Sequence, residues 1–223
     1  MRSLPVVDFD GRILGVLRQE EMITAAQQVA TEDIVSMVGA GKDERALSPP
    51  LFAVRKRLPW LEVNLLTAFL AAAVVGIFEG TIARYTALAV LLPVVAGQSG
   101  NTGAQALAVT MRGLALREIR LRQWLRVTWK ELLVGALNGV AVAVTTAAAV
   151  FVWSRSTGLA LVIGVSMVIS MTAAGFAGAI IPLMLTRLRQ DPAQSSSIIL
   201  TTITDVVGFF SFLGIATILS STL

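Results

Sequence analysis

Five long apolar segments follow residue 60, and each is long enough to cross a lipid bilayer as a helix. They run roughly over residues 61–78, 85–111, 132–153, 159–185 and 197–219. A membrane-spanning helix needs about 20 apolar residues, so the pattern predicts an all-α membrane protein with five transmembrane helices. Two segments exceed this length, which predicts tilt, a kink or a break, with Pro93 and Pro182 as the candidate kink points.

The first part of the chain has a different pattern and predicts a small polar unit. Residues 4–7 and 13–17 are predicted strands, joined by a turn at 8–12 in which Asp and Gly favour a hairpin. A helix is predicted from residue 19 to about residue 30. Two strands and one helix bury too little apolar surface to be stable alone. We therefore expect this unit to pack on something else or to be the end of a larger domain.

Linker signals separate this polar unit from the apolar body. They are the glycines at 39 and 41 and the Ser-Pro-Pro run at 48–50. The short segment 51–57 is amphipathic and is expected to lie on the membrane surface. The predicted division is residues 1–38, a linker with a connecting helix at 39–57, and a membrane domain at 58–223.

Composition and charge support a membrane protein. Of the 223 residues, 55% are hydrophobic and 14% are charged, against about 25% charged in soluble proteins. Sixteen of the 32 charged side chains lie in the first 60 residues. The chain has no Cys and no His, which excludes disulfides, zinc sites and catalysis by these residues. We expect no enzyme activity.

The placement of Lys and Arg predicts the orientation in the membrane. Basic residues cluster before the first segment, between the second and third, and between the fourth and fifth, whereas the opposite side has only Arg84 and Arg155. The positive-inside rule then places the N-terminus in the cytoplasm and the C-terminus outside. Topology and lipid headgroups explain these basic runs better than nucleic acid does, so no nucleic-acid partner is expected.

Asp205 is the most informative residue because it lies well inside the fifth segment. A charge near the bilayer centre costs about 2.5–3.5 kcal/mol on insertion scales. No Lys or Arg lies in the middle of any segment to compensate it. The carboxylate must therefore be protonated, solvated in a cavity, or bound to a cation. We favour a cation pathway over a protonated Asp bonded to its own helix or to a hydroxyl.

Polar and small residues recur around Asp205 at spacings of three and four, which places them on one face of a helix. They are Ser197, Thr201, Thr204, Gly208 and Ser211. The alternative explanation of such a stripe is close helix packing. The helix is expected to begin at Asp191-Pro192, with Asp as the N-cap and Pro in the first turn.

The second segment contains a polar, glycine-rich run at membrane depth. Gly97, Gly100 and Gly103 are three residues apart, and Asn101 and Gln105 share a helix face with Gly97. Glycine costs about 1 kcal/mol in a helix, and irregular backbone at this depth is tolerated where it lines a cavity. A small-residue packing face is the alternative. The run lacks the context of a phosphate-binding loop.

These residues resemble a known family. Residues 93–105, continued by Ala-Leu-Ala-Val-Thr-Met-Arg, closely resemble the signature of the MgtE magnesium channels. Residues 191–193 and 201–205 resemble the last span of that family, and residues 57–64 its entry into the first span. Residues 4–17 resemble the end of a CBS domain, and residues 31–34 resemble the segment that comes after this domain in the family.

The resemblance implies a homodimer in the bacterial cytoplasmic membrane, with a cation pore between the subunits lined by the second and fifth spans. Passive Mg²⁺ influx is the expected activity, with Asp205 of each subunit facing a hydrated ion. Mg²⁺ usually keeps several waters and is held through one or two carboxylates. The expected pore residues are Asp205, Asn101, Gly97, Gly100, Thr201, Gly208 and Ser197, supported by Thr204, Gln105 and Gly103.

The chain departs from the family at two places. It has Ser-Ser-Ile at 196–198 where the family usually has Ser-Gly-Pro, so a straighter fifth helix is expected at its cytoplasmic end. Only the end of one CBS domain is present, although Glu32 and Asp33 match positions of regulatory metal-binding carboxylates. We expect weaker inhibition by internal Mg²⁺ than in a full-length relative.

Other functions remain open at the level of sequence. One is a proton- or ion-coupled divalent cation carrier, and another is a membrane scaffold without transport. The residues do not discriminate among Mg²⁺, Mn²⁺ and Co²⁺, because all three accept oxygen ligands.

Overall fold

The computed structural model describes residues 3–25, 35–36, 39–40 and 43–221, without the side chains of 193–195. The chain divides into two compact units after Arg57. Glu32 and Asp33, the predicted regulatory carboxylates, lie outside the described residues.

The first unit contains the predicted hairpin. Strands β1 (Ser3–Val7) and β2 (Ile13–Arg18) pair antiparallel, with Pro5 opposite Val16. The Asp8 Oδ1 atom accepts hydrogen bonds from the backbone N–H groups of Asp10 and Arg12, at 3.0 and 2.8 Å. Gly11 has a φ of 81°, a left-handed conformation that glycine adopts without steric cost. Helical residues follow at 19–25, where the predicted helix begins.

Six helices make up most of the remaining chain. They are α1 (Pro50–Ile77), the short α2 (Glu79–Arg84), α3 (Ala87–Ala115), α4 (Trp124–Ser154), α5 (Thr157–Arg187) and α6 (Pro192–Ile218). A 3-10 turn at Leu121–Gln123 precedes α4. Helix α6 begins at Pro192, as predicted. Helices α3 and α5 continue through Pro93 and Pro182, so neither proline ends its helix.

Helix α1 differs from the sequence prediction. The pattern separated an amphipathic segment at 51–57 from the first span, but both belong to one unbroken helix. The hydropathy of the sequence changes near residue 58, but the backbone remains helical across this point. Pro59 lies inside this helix, where it removes one hydrogen bond without ending the helix. Ala71 is the one buried residue of α1, which is described along its whole length.

Helix α5 is the centre of the second unit and packs against α3, α4 and α6. Its approach to α4 depends on glycines. A Cβ atom added to Gly175 would lie 2.5 Å from the carbonyl oxygen of Glu131, and one added to Gly135 would lie 2.5 Å from that of Met171. Such small-residue contacts let two backbones pack closely, which is how helices associate in membranes.

The other half of the bundle has a core of larger side chains. Leu88 and Val95 of α3, Ile163 and Met167 of α5, and Phe212 of α6 are all fully buried. Two contacts connect α6 and the residues just after it to the two residues that flank α2. The Tyr85 hydroxyl donates to the carbonyl oxygen of Ser220 at 2.6 Å, and the rings of Phe78 and Phe210 pack edge to face, 5.8 Å apart.

Among the described residues, four helical segments are long and apolar enough to cross a membrane. They are Pro50–Ile77, Leu121–Ser154, Thr157–Arg187 and Ser196–Ile218. Helix α3 corresponds to the predicted second span and has 29 residues, but its run of Gly, Gln, Ser, Asn and Thr lowers its hydropathy. The architecture is therefore mostly helical with a small hairpin, and four of the five predicted spans meet the hydropathy expected of a membrane helix.

Candidate functional site

The polar stripe on α6 divides into an outward and an inward part. Thr201 is exposed and Asp205 is half-buried, whereas Thr204 and Gly208 are buried. Ser197 is half-buried one turn before Thr201. The spacing of three and four predicted a single polar face, but this face is wide enough to extend from the contact with neighbouring helices to open surface.

The carboxylate of Asp205 has no partner within the described part of the chain. No hydrogen bond or ion pair reaches it, and the described acidic residues form no cluster of three or more that would hold a metal. Both oxygens of this single carboxylate are therefore available to water, to a cation or to a group outside the chain.

The hydroxyl groups near Asp205 bond to their own helix. Thr201 donates to the carbonyl oxygen of Ile198, Thr204 to that of Thr201, and Ser211 to that of Gly208, each at 3.0 Å. A hydroxyl that donates its proton in this way keeps lone pairs on its oxygen. The exposed Thr201 oxygen therefore remains able to accept from a hydrated ion.

The polar run on α3 divides in the same manner. Gly97, Asn101 and Gln105, which their helical spacing placed on one face, are all exposed, and Gly100 is half-buried. A Cβ atom added to Gly97 or Gly100 would meet no atom of the described chain within 4 Å. Packing inside the bundle therefore does not require glycine at these two positions.

Gly103 and Gly208 have a different environment and pack at the contact between α3 and α6. A Cβ on Gly103 would lie 2.8 Å from the Cδ1 atom of Leu200. A Cβ on Gly208 would lie 3.4 Å from Val95 Cγ1 and 3.5 Å from Ser99 Oγ. The predicted alternative, a small-residue packing face, thus describes these two glycines well.

These contacts also fix the height of Asp205 in the bundle. Residue 200 lies beside residue 103, and residue 208 lies beside residues 95 and 99, so α3 and α6 run antiparallel. Asp205 is consequently level with the glycine-rich part of α3. The fold brings the outward residues Gly97, Gly100 and Asn101 to the same height as the outward carboxylate. Gln105 and Ser197 lie toward the other end of this contact.

A buried carboxylate that the sequence pattern did not single out lies at the end of the bundle that contains the start of α4. Glu131 is 4% exposed, and its Oε1 atom is 2.5 Å from the Nζ atom of Lys130. It lines a cavity of about 330 Å³ together with Thr110, Glu118 and Arg126. The sequence contained one indication that Glu131 is unusual. It lies one residue before the predicted third span, where a carboxylate must be paired or solvated.

Comparison with known proteins identifies the family. The model of the MgtE family, described as a divalent cation transporter, matches residues 92–215, which include the polar run of α3 and Asp205. Three relatives are each named magnesium transporter MgtE. The protein of Thermus thermophilus is 34% identical over 97% of this chain, that of Enterococcus faecalis 31% over 96%, and that of Bacillus subtilis 30% over 96%.

These alignments cover 48%, 47% and 48% of the respective relatives, so the chain spans about half their length. The matched family consists of transporters and not of enzymes. The long apolar helices agree with a multi-pass membrane protein. The chain belongs to the MgtE family of divalent cation transporters.

Proposed function

We propose that this chain forms a passive pathway for Mg²⁺ across the membrane, in which Asp205 binds the hydrated ion. The observation that supports this most strongly is the unpartnered carboxylate in the middle of an apolar helix. An uncompensated charge at this depth costs several kcal/mol, and a divalent cation would offset that cost. The relatives named as magnesium transporters make Mg²⁺ the preferred ion.

The chemistry of the outward residues suits a hydrated ion better than a dehydrated one. Mg²⁺ loses water reluctantly, and it is usually bound through one or two carboxylates with several waters retained. Around Asp205, the outward groups are the Thr201 hydroxyl, the Asn101 amide and the backbone at Gly97 and Gly100. These groups offer neutral oxygen atoms, which would accept hydrogen bonds from the waters around the ion without replacing those waters.

The proposal includes helix α3 as a fifth membrane span, with the N-terminus in the cytoplasm. Its 29 residues exceed the length of a bilayer span. A lower hydropathy is expected for a helix whose polar face lines a water-filled pathway rather than lipid. The accumulation of Arg and Lys between α3 and α4 and between α5 and α6 supports this orientation.

We also propose that two copies form the pathway between them. In a single chain, Asn101 is exposed and Asp205 is only half-buried, so a second copy could contact both side chains. A second copy would supply a second Asp205, giving the two carboxylates that commonly hold Mg²⁺. Helix α1 is also almost unburied in one chain, which leaves its surface for lipid or for the second copy.

For the polar N-terminal part, the proposal keeps the division into residues 1–38, 39–57 and 58–223. The hairpin β1–β2 supports a CBS-type segment at the start. Glu32 and Asp33 are proposed as regulatory Mg²⁺ ligands on the basis of the sequence resemblance alone.

Cysteine accessibility tests the pathway directly, because the chain has no native Cys. Thr201→Cys and Asn101→Cys should react with a charged, membrane-impermeant thiol reagent in proteoliposomes, and Mg²⁺ should slow the reaction. Leu137→Cys is the control, because this side chain is 71% exposed on the apolar helix α4 and should lie in lipid, where the reagent does not enter.

If both pathway cysteines are as unreactive as Leu137→Cys, the proposed pathway is wrong. If they react but Mg²⁺ gives no protection, the face is wet without binding the ion, which contradicts the assignment of Asp205 as the Mg²⁺ site.

A further inference from the structure

A groove with an apolar floor and two basic residues lies where the start of α4 meets the end of α5. Its volume is about 450 Å³, within the range of about 300–1,000 Å³ typical of small-molecule sites. Its lining includes Leu121, Arg122, Trp124, Leu183, Met184 and Arg187. All of these residues belong to the second compact unit.

The two arginines give the groove an uncompensated positive charge. Arg122 and Arg187 are both exposed, and within the described part of the chain neither forms an ion pair with a carboxylate. By contrast, Arg112 lies 3.9 Å from Glu118, and Lys130 lies 2.5 Å from Glu131. The groove therefore attracts an anion that the described part of the chain does not provide.

The position of the groove along the helices is that of a membrane interface. Arg122 is the second residue of one membrane-compatible segment, Leu121–Ser154, and Arg187 is the last residue of another, Thr157–Arg187. Trp124 stands beside them, and Trp is enriched where helices leave the hydrocarbon region. The guanidinium groups thus lie at headgroup depth, and the apolar lining continues toward the hydrocarbon.

We propose that this groove binds one anionic phospholipid of the bilayer, with its phosphate between Arg122 and Arg187. Arginine binds phosphate through paired N–H donors. An acyl chain would lie along Leu183, Met184 and Trp124. Basic pockets between membrane helices are suited to anionic headgroups. A soluble anion would leave this apolar lining in contact with water, and a zwitterionic lipid would bring a cation toward the arginines.

The lipid site depends on the membrane position of α4 and α5 and on the charge of the groove. It does not depend on which ion is transported, or on the role of Asp205.

Fluorescence quenching by brominated lipids tests the site because Trp124 is in its lining. The chain has four Trp residues, so Trp60, Trp129 and Trp153 are replaced by Phe to leave Trp124 alone. This protein is reconstituted in phosphatidylcholine vesicles containing a small fixed fraction of brominated phosphatidylglycerol or brominated phosphatidylcholine. The expected result is stronger quenching by the brominated phosphatidylglycerol, because the anionic lipid is enriched beside Trp124.

Charge-removing substitutions connect that preference to the two arginines. A basic residue at an anionic surface contributes about a fivefold preference, so Arg122→Gln with Arg187→Gln should lower the relative affinity for phosphatidylglycerol by about 25-fold. Arg126→Gln removes the same charge one turn further along α4, in a residue that lines the other cavity, and should retain the preference. Salt at 1 M should weaken the preference in the single-Trp protein that keeps both arginines.

Equal quenching by the two brominated lipids would overturn the proposal, as would a preference that persists in the double variant. An equal loss in Arg126→Gln would indicate attraction to the whole basic surface rather than to this groove. Soluble glycerol phosphate serves as the competitor. If it abolished the preference at low concentration, the site would bind a free phosphate and the lipid assignment would be wrong.

Discussion

The substitution Gly178→Ala tests the close packing of α5 against α3. The added Cβ atom would lie against the carbonyl oxygen of Gly103, 2.8 Å from the Cβ atom of Ala106 and 3.0 Å from the backbone nitrogen of Leu107. Two of these three atoms belong to the backbone and cannot rotate away. The two helices must therefore move apart at their closest contact.

Two opposing terms set the size of the effect. Overpacking a tight contact costs about 1–3 kcal/mol, and contacts with backbone atoms place Gly178→Ala in the upper half of that range. Alanine in a helix interior returns up to about 1 kcal/mol relative to glycine. The net loss in free energy of unfolding should be about 1–2 kcal/mol, or roughly five- to thirtyfold in the unfolding equilibrium.

Gly164→Ala is the matched control on the same helix. Its added Cβ would lie 3.6 Å from the Cβ atom of Ala147, an ordinary van der Waals contact, so only the gain in helix propensity remains. Unfolding of both variants is followed by circular dichroism during titration with a denaturing detergent. Gly178→Ala should unfold at a lower detergent fraction than the unsubstituted chain, and Gly164→Ala at an equal or higher one. If Gly178→Ala were as stable as Gly164→Ala, the packing described between α3 and α5 would be wrong.

Three further predictions concern the charged pair, the outward glycines and the second copy. Lys130→Gln should lower the free energy of unfolding by about 1–2 kcal/mol. This is less than the roughly 3–5 kcal/mol of a fully buried pair, because Lys130 is half-exposed while Glu131 is buried. Adding Glu131→Gln should restore most of the loss, and a double variant with no restoration would contradict the pairing. Gly97→Leu should reduce Mg²⁺ influx at least tenfold. Its thermal unfolding should be unchanged, because the surroundings of Gly97 in one chain are open. Unaltered influx would show that Gly97 does not line the pathway. Asn101→Cys should cross-link to a second copy with a short bifunctional thiol reagent, and purely monomeric protein after cross-linking would contradict the proposed dimer.

Much of the fold follows from local features of the sequence. Apolar runs of sufficient length predicted the helices of the second unit, and the Asp and Gly residues at 8–12 predicted the hairpin turn. The start of α6 followed from Asp191 and Pro192, because Pro is favoured in the first helical turn. The continuity of α1 across residue 58 was not predictable from hydropathy, because a helix does not end where its surroundings change from water to lipid.

The candidate site was predictable as a set of residues but not as an arrangement. Helical spacing placed Gly97 and Gly103 in one motif, yet one faces open space and the other contacts Leu200. The difference depends on the position of α6, a contact between residues about 100 positions apart that periodicity does not encode. The same reason separates Thr201 from Thr204. Glu131 was overlooked because its burial depends on packing between helices, which local periodicity does not encode.

The most direct test of the proposed pathway is Mg²⁺ influx into proteoliposomes containing this chain, compared with Asp205→Ala, each with and without a pH gradient. We expect influx driven by the Mg²⁺ gradient, at least a tenfold loss in Asp205→Ala, and no dependence on the pH gradient. Thr217→Ala, which alters an exposed hydroxyl near the far end of the same helix, should transport normally. Influx that follows the pH gradient would indicate a coupled carrier, and influx that survives Asp205→Ala would contradict the assignment of this carboxylate as the ion site.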